Sequence, residues 1–384
     1  MTVLTDEQVM LKDMASAWLR ERMPVNETRA LYDGSGGGRQ NGEASWHDHH
    51  YGEMAAMGWT GIVVPQAQGG LEFGYRSMGL VLEECGRTLA ATPLHSSALV
   101  AASALALGGS AAQQAKWLPT IADGSLVATL AADEGAHHAP LAVATQATRQ
   151  GGDWLLEGIK RPVADGMVAG LFIVAARTTG KSGDAEGITL FLVPADSAGL
   201  RRELLDQIDA RRPCALMLDG VVVPGDAVLG RPGEGAPLLE QVLDRASAGL
   251  AAELLGLAEQ AFATTVDYMK TRVQFDRPIG SFQALQHRVA DLFGEIQLAR
   301  AAVEDALDAI DSASPQVPAL ASLAKALAGD CATLVTKQMV QLHGGIGMTH
   351  EHDAGLYLKR ALTASQYHGN PAFHRDRWGR LNGY

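Results

Sequence analysis

The sequence predicts an α+β fold in three parts: a helical N-terminal domain over 1–122, a β-sheet domain over 123–232 and a four-helix bundle over 233–384. Three observations predict it. Apolar residues recur at helical spacing through the first third, short β-branched and aromatic runs bounded by Gly, Pro and Asp fill the middle, and three long helical patterns close the chain. With 384 residues, 47% of them apolar, the chain is long enough for two or three lobes with buried cores.

The first helix starts at a capping box. Thr5 precedes Gln8 by three residues, and Val9, Leu11, Met14, Ala15 and Leu19 continue the stripe until Pro24 ends it. Asp33-Gly-Ser-Gly-Gly-Gly38 through Asn41-Gly42 is too glycine-rich for regular structure and reads as a mobile loop. Helical segments are expected over about 45–57 and 75–118, interrupted by Pro65 to Gly70. Strands are expected at Leu126-Val-Ala-Thr-Leu130, Gly170-Leu-Phe-Ile-Val-Ala-Ala176 and Ile188-Thr-Leu-Phe-Leu-Val193. Pro232 and Gly233 close the β domain, and helices follow near 236–273, 282–312 and 318–342. In the second of these, Leu285, Val289, Leu292, Ile296, Ala299, Val303, Leu307 and Ile310 form a stripe of the kind that long bundled helices bury against one another. No internal repeat is evident.

Composition narrows the function. The formal net charge is −12, and the basic residues are scattered or in short pairs such as Arg201-Arg202 and Arg211-Arg212. That argues against nucleic acid or an anionic membrane surface as partner. Cys85, Cys214 and Cys331 lie far apart without metal-ligand spacing, which fits buried thiols in a reducing compartment. The amphipathic, acid-containing N-terminus does not read as a signal peptide, and no stretch reaches the roughly 20 apolar residues of a membrane span, so a cytoplasmic protein is expected.

Three strings carry a family resemblance. Gly58-Trp-Thr-Gly-Ile-Val-Val-Pro65 with Gly69-Gly70 resembles the first-domain signature of acyl-CoA dehydrogenases. Arg272-Val-Gln-Phe275-Asp-Arg-Pro-Ile-Gly280-Ser-Phe-Gln283-Ala-Leu-Gln286-His287 resembles their third-domain signature, with Asp276 in place of a glycine, and Gln341-Leu-His-Gly344-Gly345-Ile-Gly347 resembles their last glycine motif. With Val221-Val-Val-Pro224 and Leu229-Gly230 at the domain boundary, the resemblance spans nearly the whole chain.

The resemblance implies FAD as cofactor, an acyl-CoA substrate and an electron-transfer flavoprotein or similar acceptor. It places Arg272, Gln274, Phe275 and Gln283 on one subunit at the flavin, with Gln341, Gly344 and Gly345 on its neighbour, so that the site depends on oligomerisation. The residue types suit the task. Arg272 and Gln274 offer a charged fork and an amide to a pyrophosphate, and the glycines let backbone approach a nucleotide. Taken singly, Arg272 reads as a surface cation and the glycines as a helix C-cap.

Family chemistry needs a base for a weakly acidic α-hydrogen and donors that polarise the thioester carbonyl. Counting from Gly344, Tyr367-His368-Gly369-Asn370 falls on the family's Tyr-Glu-Gly string, so His368 stands at the base position. Its backbone N–H keeps the polarising role, and a neutral imidazole is itself a base. Some members place the base on the first long helix of the third domain; that position is Ala246 here, with Asp244 and Glu253 nearby as alternatives. Both carboxylates read as solvated helix-surface residues.

The middle domain also departs from the family. Leu130-Ala-Ala-Asp133-Glu-Gly-Ala-His137-His138 replaces the usual Thr-Glu-Pro and Gly-Ser-Asp strings, and Pro162 and Ala164 stand where an aromatic and a hydroxyl normally flank the flavin ring. His137-His138 with Asp133 and Glu134, and likewise His47, His49 and His50, read as solvated side chains, and no metal site is expected. His350-Glu-His-Asp353 reads as a helix-start loop. The C-terminal strings Thr349 to Asp353, Leu356 to Arg360 and Phe373 to Arg377 resemble a subgroup acting on steroid side-chain and similar bulky acids. Its members often lack the glutamate and several work as mixed tetramers. Two expectations follow: dehydrogenation of a bulky acyl-CoA, or a non-catalytic partner that completes a flavin or CoA site on a homologous chain.

Overall fold

The computed structural model describes residues 3–33, 48–209, 211 and 213–384. The glycine-rich segment and His47 lie outside them, as does the side chain of His49. Helix α1 (Asp6–Arg22) opens with the expected capping box, the Thr5 hydroxyl accepting from the Gln8 N–H at 3.3 Å and the Gln8 amide oxygen accepting from the Thr5 N–H at 3.2 Å. It ends at Arg22, just before Pro24. Then come α2 (Val25–Asp33), α3 (Asp48–Ala56), α4 (Gly74–Thr88), a π-helical stretch Leu94–Ala101 that runs into α5 (Ala102–Gly108), and α6 (Ala111–Ala122).

The helix expected over 75–118 is therefore three pieces. Leu89 turns left-handed (φ 57°), a conformation unfavourable for leucine but held here by its N–H bonding back to Cys85 and Gly86 carbonyls while the side chain is buried. Ser110 then caps a new helix with Gln113 in a second capping box. His50, expected to be solvated, is buried with its ring edge-on to Trp18 at 5.8 Å.

The middle domain is one eight-stranded sheet. Its strands are β1 (Ala128–Ala131), β2 (Gln146–Gln150), β3 (Asp153–Val163), β4 (Leu171–Arg177), β5 (Ile188–Pro194), β6 (Leu200–Leu204), β7 (Cys214–Val223) and β8 (Val228–Leu229). The order is β6-β7-β3-β2-β4-β5-β8, with β1 parallel to β4. β4 is buried throughout, as expected of a continuous apolar run with cover on both faces. The loop from β1 to β2 is clipped at its base. Lys160 on β3, fully buried, donates to Glu134 at 2.6 Å and to the Ala132 carbonyl at 3.1 Å, while the Glu134 carboxylate accepts from the Ala144 and Thr145 N–H groups.

The last domain holds α7 (Ala236–Thr271), a short hairpin of β9 (Val273–Gln274) and β10 (Arg277–Pro278), and then α8 (Gln283–Asp311), α9 (Val317–His343), α10 (Ala354–Gln366) and α11 (Pro371–Leu381). Among the described residues its helical bundle counts five helices, because the chain leaves α10 at Tyr367 and Pro371 starts α11. α10 and α11 both pack on α9. The apolar stretch Val317–Met348 has the length and composition of a membrane span, contrary to expectation, yet most of it is buried in the bundle. α7 crosses α4 backbone to backbone: a Cβ on Gly256 would lie 1.8 Å from the Glu83 carbonyl oxygen, and one on Gly86 2.0 Å from that of Glu253.

A buried charge cluster joins the N-terminal helices to the bundle. Glu83 receives Lys12 at 3.0 Å, Arg300 at 3.0 Å and Arg87 at 3.1 Å, and both arginines also bond Glu259. Burial alone would push the Glu83 carboxyl up, but Arg300, Lys12 and Arg87 together outweigh it and hold the pKa at about 2. The folded value lies below the ordinary 4.5, so this stabilisation is fully present above about pH 4.5 and is lost as pH falls toward 2. Thermal unfolding of wild type and Glu83→Gln is therefore expected to differ most above pH 4.5 and to converge below it; a pH-independent difference would show that the carboxylate is not held this way.

Candidate functional site

The break between α10 and α11 carries Tyr367-His368-Gly369. Asn370 caps α11 by accepting from the Phe373 N–H at 2.9 Å. Behind the turn, Lys325 of α9, fully buried, donates to the Ser365 and Gly369 carbonyls at 3.0 Å each. Burial, with Arg360 nearby, pushes its ammonium down to about 7. His374 Nε2–H donates to the His368 carbonyl at 3.0 Å. So held, His368 adopts φ 57°, and its ring lies 5.5 Å from that of His95 and 6.5 Å from that of His138. Burial first, and then the neighbouring His95, His138 and Lys325, keep the His368 pKa well below 6.5, so the ring is neutral.

Three cavities meet at His368. The largest, about 580 Å³, is lined by His138, Leu243, Ser247, Phe373, His374 and Arg377 among others. A second, about 40 Å³, lies between His95, Leu250, Glu253, Arg360 and Tyr367. The third, about 20 Å³, is bounded by Thr129, Ala132, Asp133, Pro162 and Ala164.

Asp244 and Glu253 are not surface residues; each is 3% exposed. Asp244 pairs with Arg377 at 2.5 Å, and Arg377 also reaches the Ser322 hydroxyl at 3.0 Å. Burial raises the Asp244 pKa against the pull of Arg377. Glu253 receives Arg360 through Nε at 2.9 Å and Nη2 at 2.7 Å, with Arg211 at 3.4 Å, while Arg360 also holds Asp209 at 3.0 Å. Burial opposes the charge on Glu253, but Arg360, Arg211 and His95 outweigh it and keep the carboxylate ionised. Both carboxylates are thus committed to arginines from distant parts of the chain. A third carboxylate escaped sequence reasoning: Asp165, in a left-handed turn (φ 50°), lines the second cavity and accepts from the Ser96 hydroxyl at 2.6 Å. No motif marks it, because its place depends on the pairing of β3 with β7.

His138 was expected to be solvated. Only its neighbour His137 is exposed; His138 turns inward, its Nδ1–H donating to Asp133 at 2.9 Å and its ring edge-on to Phe373 at 5.0 Å. The polar segment 350–353 does mark a helix start: His352 Nδ1 accepts from the Ala354 N–H at 3.1 Å, His350 pairs with Asp33 at 3.0 Å, and Asp353 pairs with Arg29. Among the described residues no group of three His, Cys, Asp or Glu is placed to hold a metal, and the three cysteines are buried and unbridged.

The candidate nucleotide residues Arg272, Gln274, Phe275, Gln283, Gln341, Gly344 and Gly345 are all exposed, Phe275 at 86%. Tyr268 stacks on His343 at 4.3 Å and donates to its carbonyl at 3.3 Å, which brings the end of α7 beside the end of α9. The two strings therefore share one end of the bundle within a single chain. The Arg272 side chain has no hydrogen-bond partner among the described residues, and a Cβ at Gly344 (φ 66°) or Gly345 would meet nothing within 4 Å. A free guanidinium, open backbone and an exposed ring fit the pyrophosphate and nucleotide half of a dinucleotide. The residues beside the third cavity do not suit a flavin ring, because Pro162 has no aromatic face to stack on it and Ala164 has no side-chain donor. The space between Pro162, Ala164 and Asp133 has room for about one water, and the Thr129 hydroxyl is already bonded to the Ala164 carbonyl at 2.7 Å.

Comparison with known proteins gives three matches to family models: acyl-CoA dehydrogenase, N-terminal domain over residues 5–125, middle domain over 128–221 and C-terminal domain over 233–381. The short/branched chain specific acyl-CoA dehydrogenase of Rattus norvegicus mitochondria is 32% identical over 318 residues, 82% of this chain and 73% of that protein. Among solved structures, the Tcur3481-Tcur3483 steroid ACAD superposes with a TM-score of 0.87 at 30% identity, covering 98% of both chains. The ChsE4-ChsE5 complex of Mycobacterium tuberculosis superposes with a TM-score of 0.87 at 27% identity, covering 100% of this chain and 99% of that one.

Proposed function

The chain belongs to the acyl-CoA dehydrogenase family, and on that premise we propose that it is one subunit of an FAD-dependent α,β-dehydrogenase for a bulky acyl-CoA, assembled with a homologous chain that carries the catalytic carboxylate. One observation carries this reading: where the family places its base this chain has neutral His368, and Asp165, Asp209, Asp244 and Glu253 around it are already bonded to other side chains. FAD, when bound, supplies the hydride acceptor of the reaction. This chain's part in holding it is the exposed end of the bundle, where Arg272 and Gln274 would meet the pyrophosphate and Gln283, Gln341, Gly344 and Gly345 the nucleotide, the ring lying in the homologous chain. Two relatives support the assembly and the substrate class: one is a complex of two named chains and the other a steroid ACAD. Electrons would leave to an electron-transfer flavoprotein or similar acceptor, in a reducing cytoplasm that suits three free thiols.

This chain's large cavity would take a CoA thioester of its own, apart from the one oxidised beside the flavin ring in the homologous chain, with the acyl end toward His368. Its presence also favours a second reading, a self-sufficient dehydrogenase with the His368 imidazole as base. Purification separates the two. The chain alone is expected to be colourless and inactive, and to yield yellow, active enzyme only when co-purified with a homologous subunit. A yellow preparation of the chain alone that bleaches on adding acyl-CoA would overturn the partner reading.

A further inference from the structure

We infer that His138, oriented by Asp133, is a proton-transfer group of the large cavity that exchanges the α-hydrogen of a bound acyl-CoA thioester with solvent, without any redox step. This rests on the reading above only in placing the thioester in that cavity.

The loop that carries His138 is built as a rigid arm. Its stem is held by the buried Lys160–Glu134 pair and by the Ala144 and Thr145 N–H groups on the same carboxylate. Asp133, next to Glu134 at the base of the loop, receives the His138 Nδ1–H through both oxygens, at 2.9 and 3.0 Å, and the Ala139 N–H at 3.4 Å. A carboxylate bonded to Nδ1–H fixes the neutral tautomer in which Nε2 keeps its lone pair, and it stabilises the imidazolium formed when Nε2 takes a proton. Among the described residues Nε2 has no protein partner, and the ring lines the 580 Å³ cavity against Phe373. The carboxylates Asp244 and Glu253 are each tied to an arginine, whereas the Asp133–His138 pair still offers a free lone pair.

A second observation in the same cavity points to a ligand. His374 is 1% exposed, donates Nε2–H to the His368 carbonyl, and leaves Nδ1 buried without a hydrogen-bond partner. Such an acceptor, left unpaired, is unfavourable until a donor arrives. The amide N–H groups of a pantetheine arm are donors of that kind, and they accompany every CoA thioester.

The step balances without an oxidant. The Cα–H bond breaks, its proton passes to His138 Nε2, and the electron pair moves onto the thioester oxygen as an enolate. The imidazolium, paired with Asp133, exchanges its proton with solvent and returns one to the same carbon. His138 is the catalytic residue and Asp133 the positioning residue.

The test uses the full chain purified alone in D2O with cyclohexanecarbonyl-CoA as probe, which has a single α-hydrogen. Mass spectrometry follows deuterium uptake and calorimetry follows binding. Wild type is expected to incorporate one deuterium faster than buffer does. His138→Gln is expected to slow uptake by about 100-fold or more, the usual scale of general acid–base catalysis, with probe affinity and melting temperature held. Asp133→Asn is expected to slow it by roughly tenfold or more at unchanged affinity, an effect on rate rather than on fold. Binding without exchange above the buffer rate, or wild-type exchange in His138→Gln, would overturn the inference. Failure of the probe to bind would overturn the placement of the thioester as well, and so separates that failure from a failure of His138.

Discussion

Arg360→Met is expected to destabilise the fold by about 3–5 kcal/mol, the scale of removing one partner from a buried charge network. Arg360 is the only cation within 3.2 Å of both Glu253 on α7 and Asp209 beyond β6, among the described residues, and so ties the bundle to the sheet domain beneath His368. Without it, two buried carboxylates lose their main counter-charge; Arg211 remains, at 3.4 Å from Glu253. Urea unfolding monitored by far-UV circular dichroism measures the loss. Arg360→Met combined with Glu253→Gln is expected to be less destabilised than the single variant, because it also removes one uncompensated charge. A loss below about 1 kcal/mol in the single variant would mean that the network is hydrated and structurally minor.

Arg272→Ala acts on the cofactor instead of the fold. A hydrogen bond to a charged group contributes about 1.5–3 kcal/mol, so loss of the fork should weaken FAD binding by the assembly about 10- to 100-fold. The side chain is exposed and bonded to nothing in the described chain, so stability should shift by no more than about 0.5 kcal/mol. Flavin absorbance after gel filtration reads the first effect and the melting temperature the second. Arg272→Lys keeps the charge but not the planar fork and is expected to fall between. Full flavin retention in Arg272→Ala would remove Arg272 from the pyrophosphate.

The order of helical, sheet and helical domains, both ends of α1 and the three long helices were legible in the sequence because they are encoded within one or two turns. Thr5 and Gln8 are three residues apart, and the α8 stripe repeats every three or four. The family strings were legible for a related reason: each is contiguous. The break at Leu89 was missed because left-handed leucine is stabilised by where its side chain is buried, which no local pattern states.

The site divides along the same line. Position 368 and the departures at Pro162 and Ala164 could be counted along the chain, and so in principle could His138, only five residues from Asp133 in sequence. What five-residue spacing does not contain is direction: the Lys160–Glu134 clip turns that loop inward, and Glu134 and Lys160 meet across 26 residues. The fates of Asp244 and Glu253 were further out of reach, since Arg377 and Arg360 come from 133 and 107 residues away. The sequence by itself determined which residues could be helix, strand, cap or base. Only the tertiary structure decided which carboxylates are neutralised by an arginine and which imidazole faces an empty volume, because burial and ion pairing depend on distances that chain order does not specify.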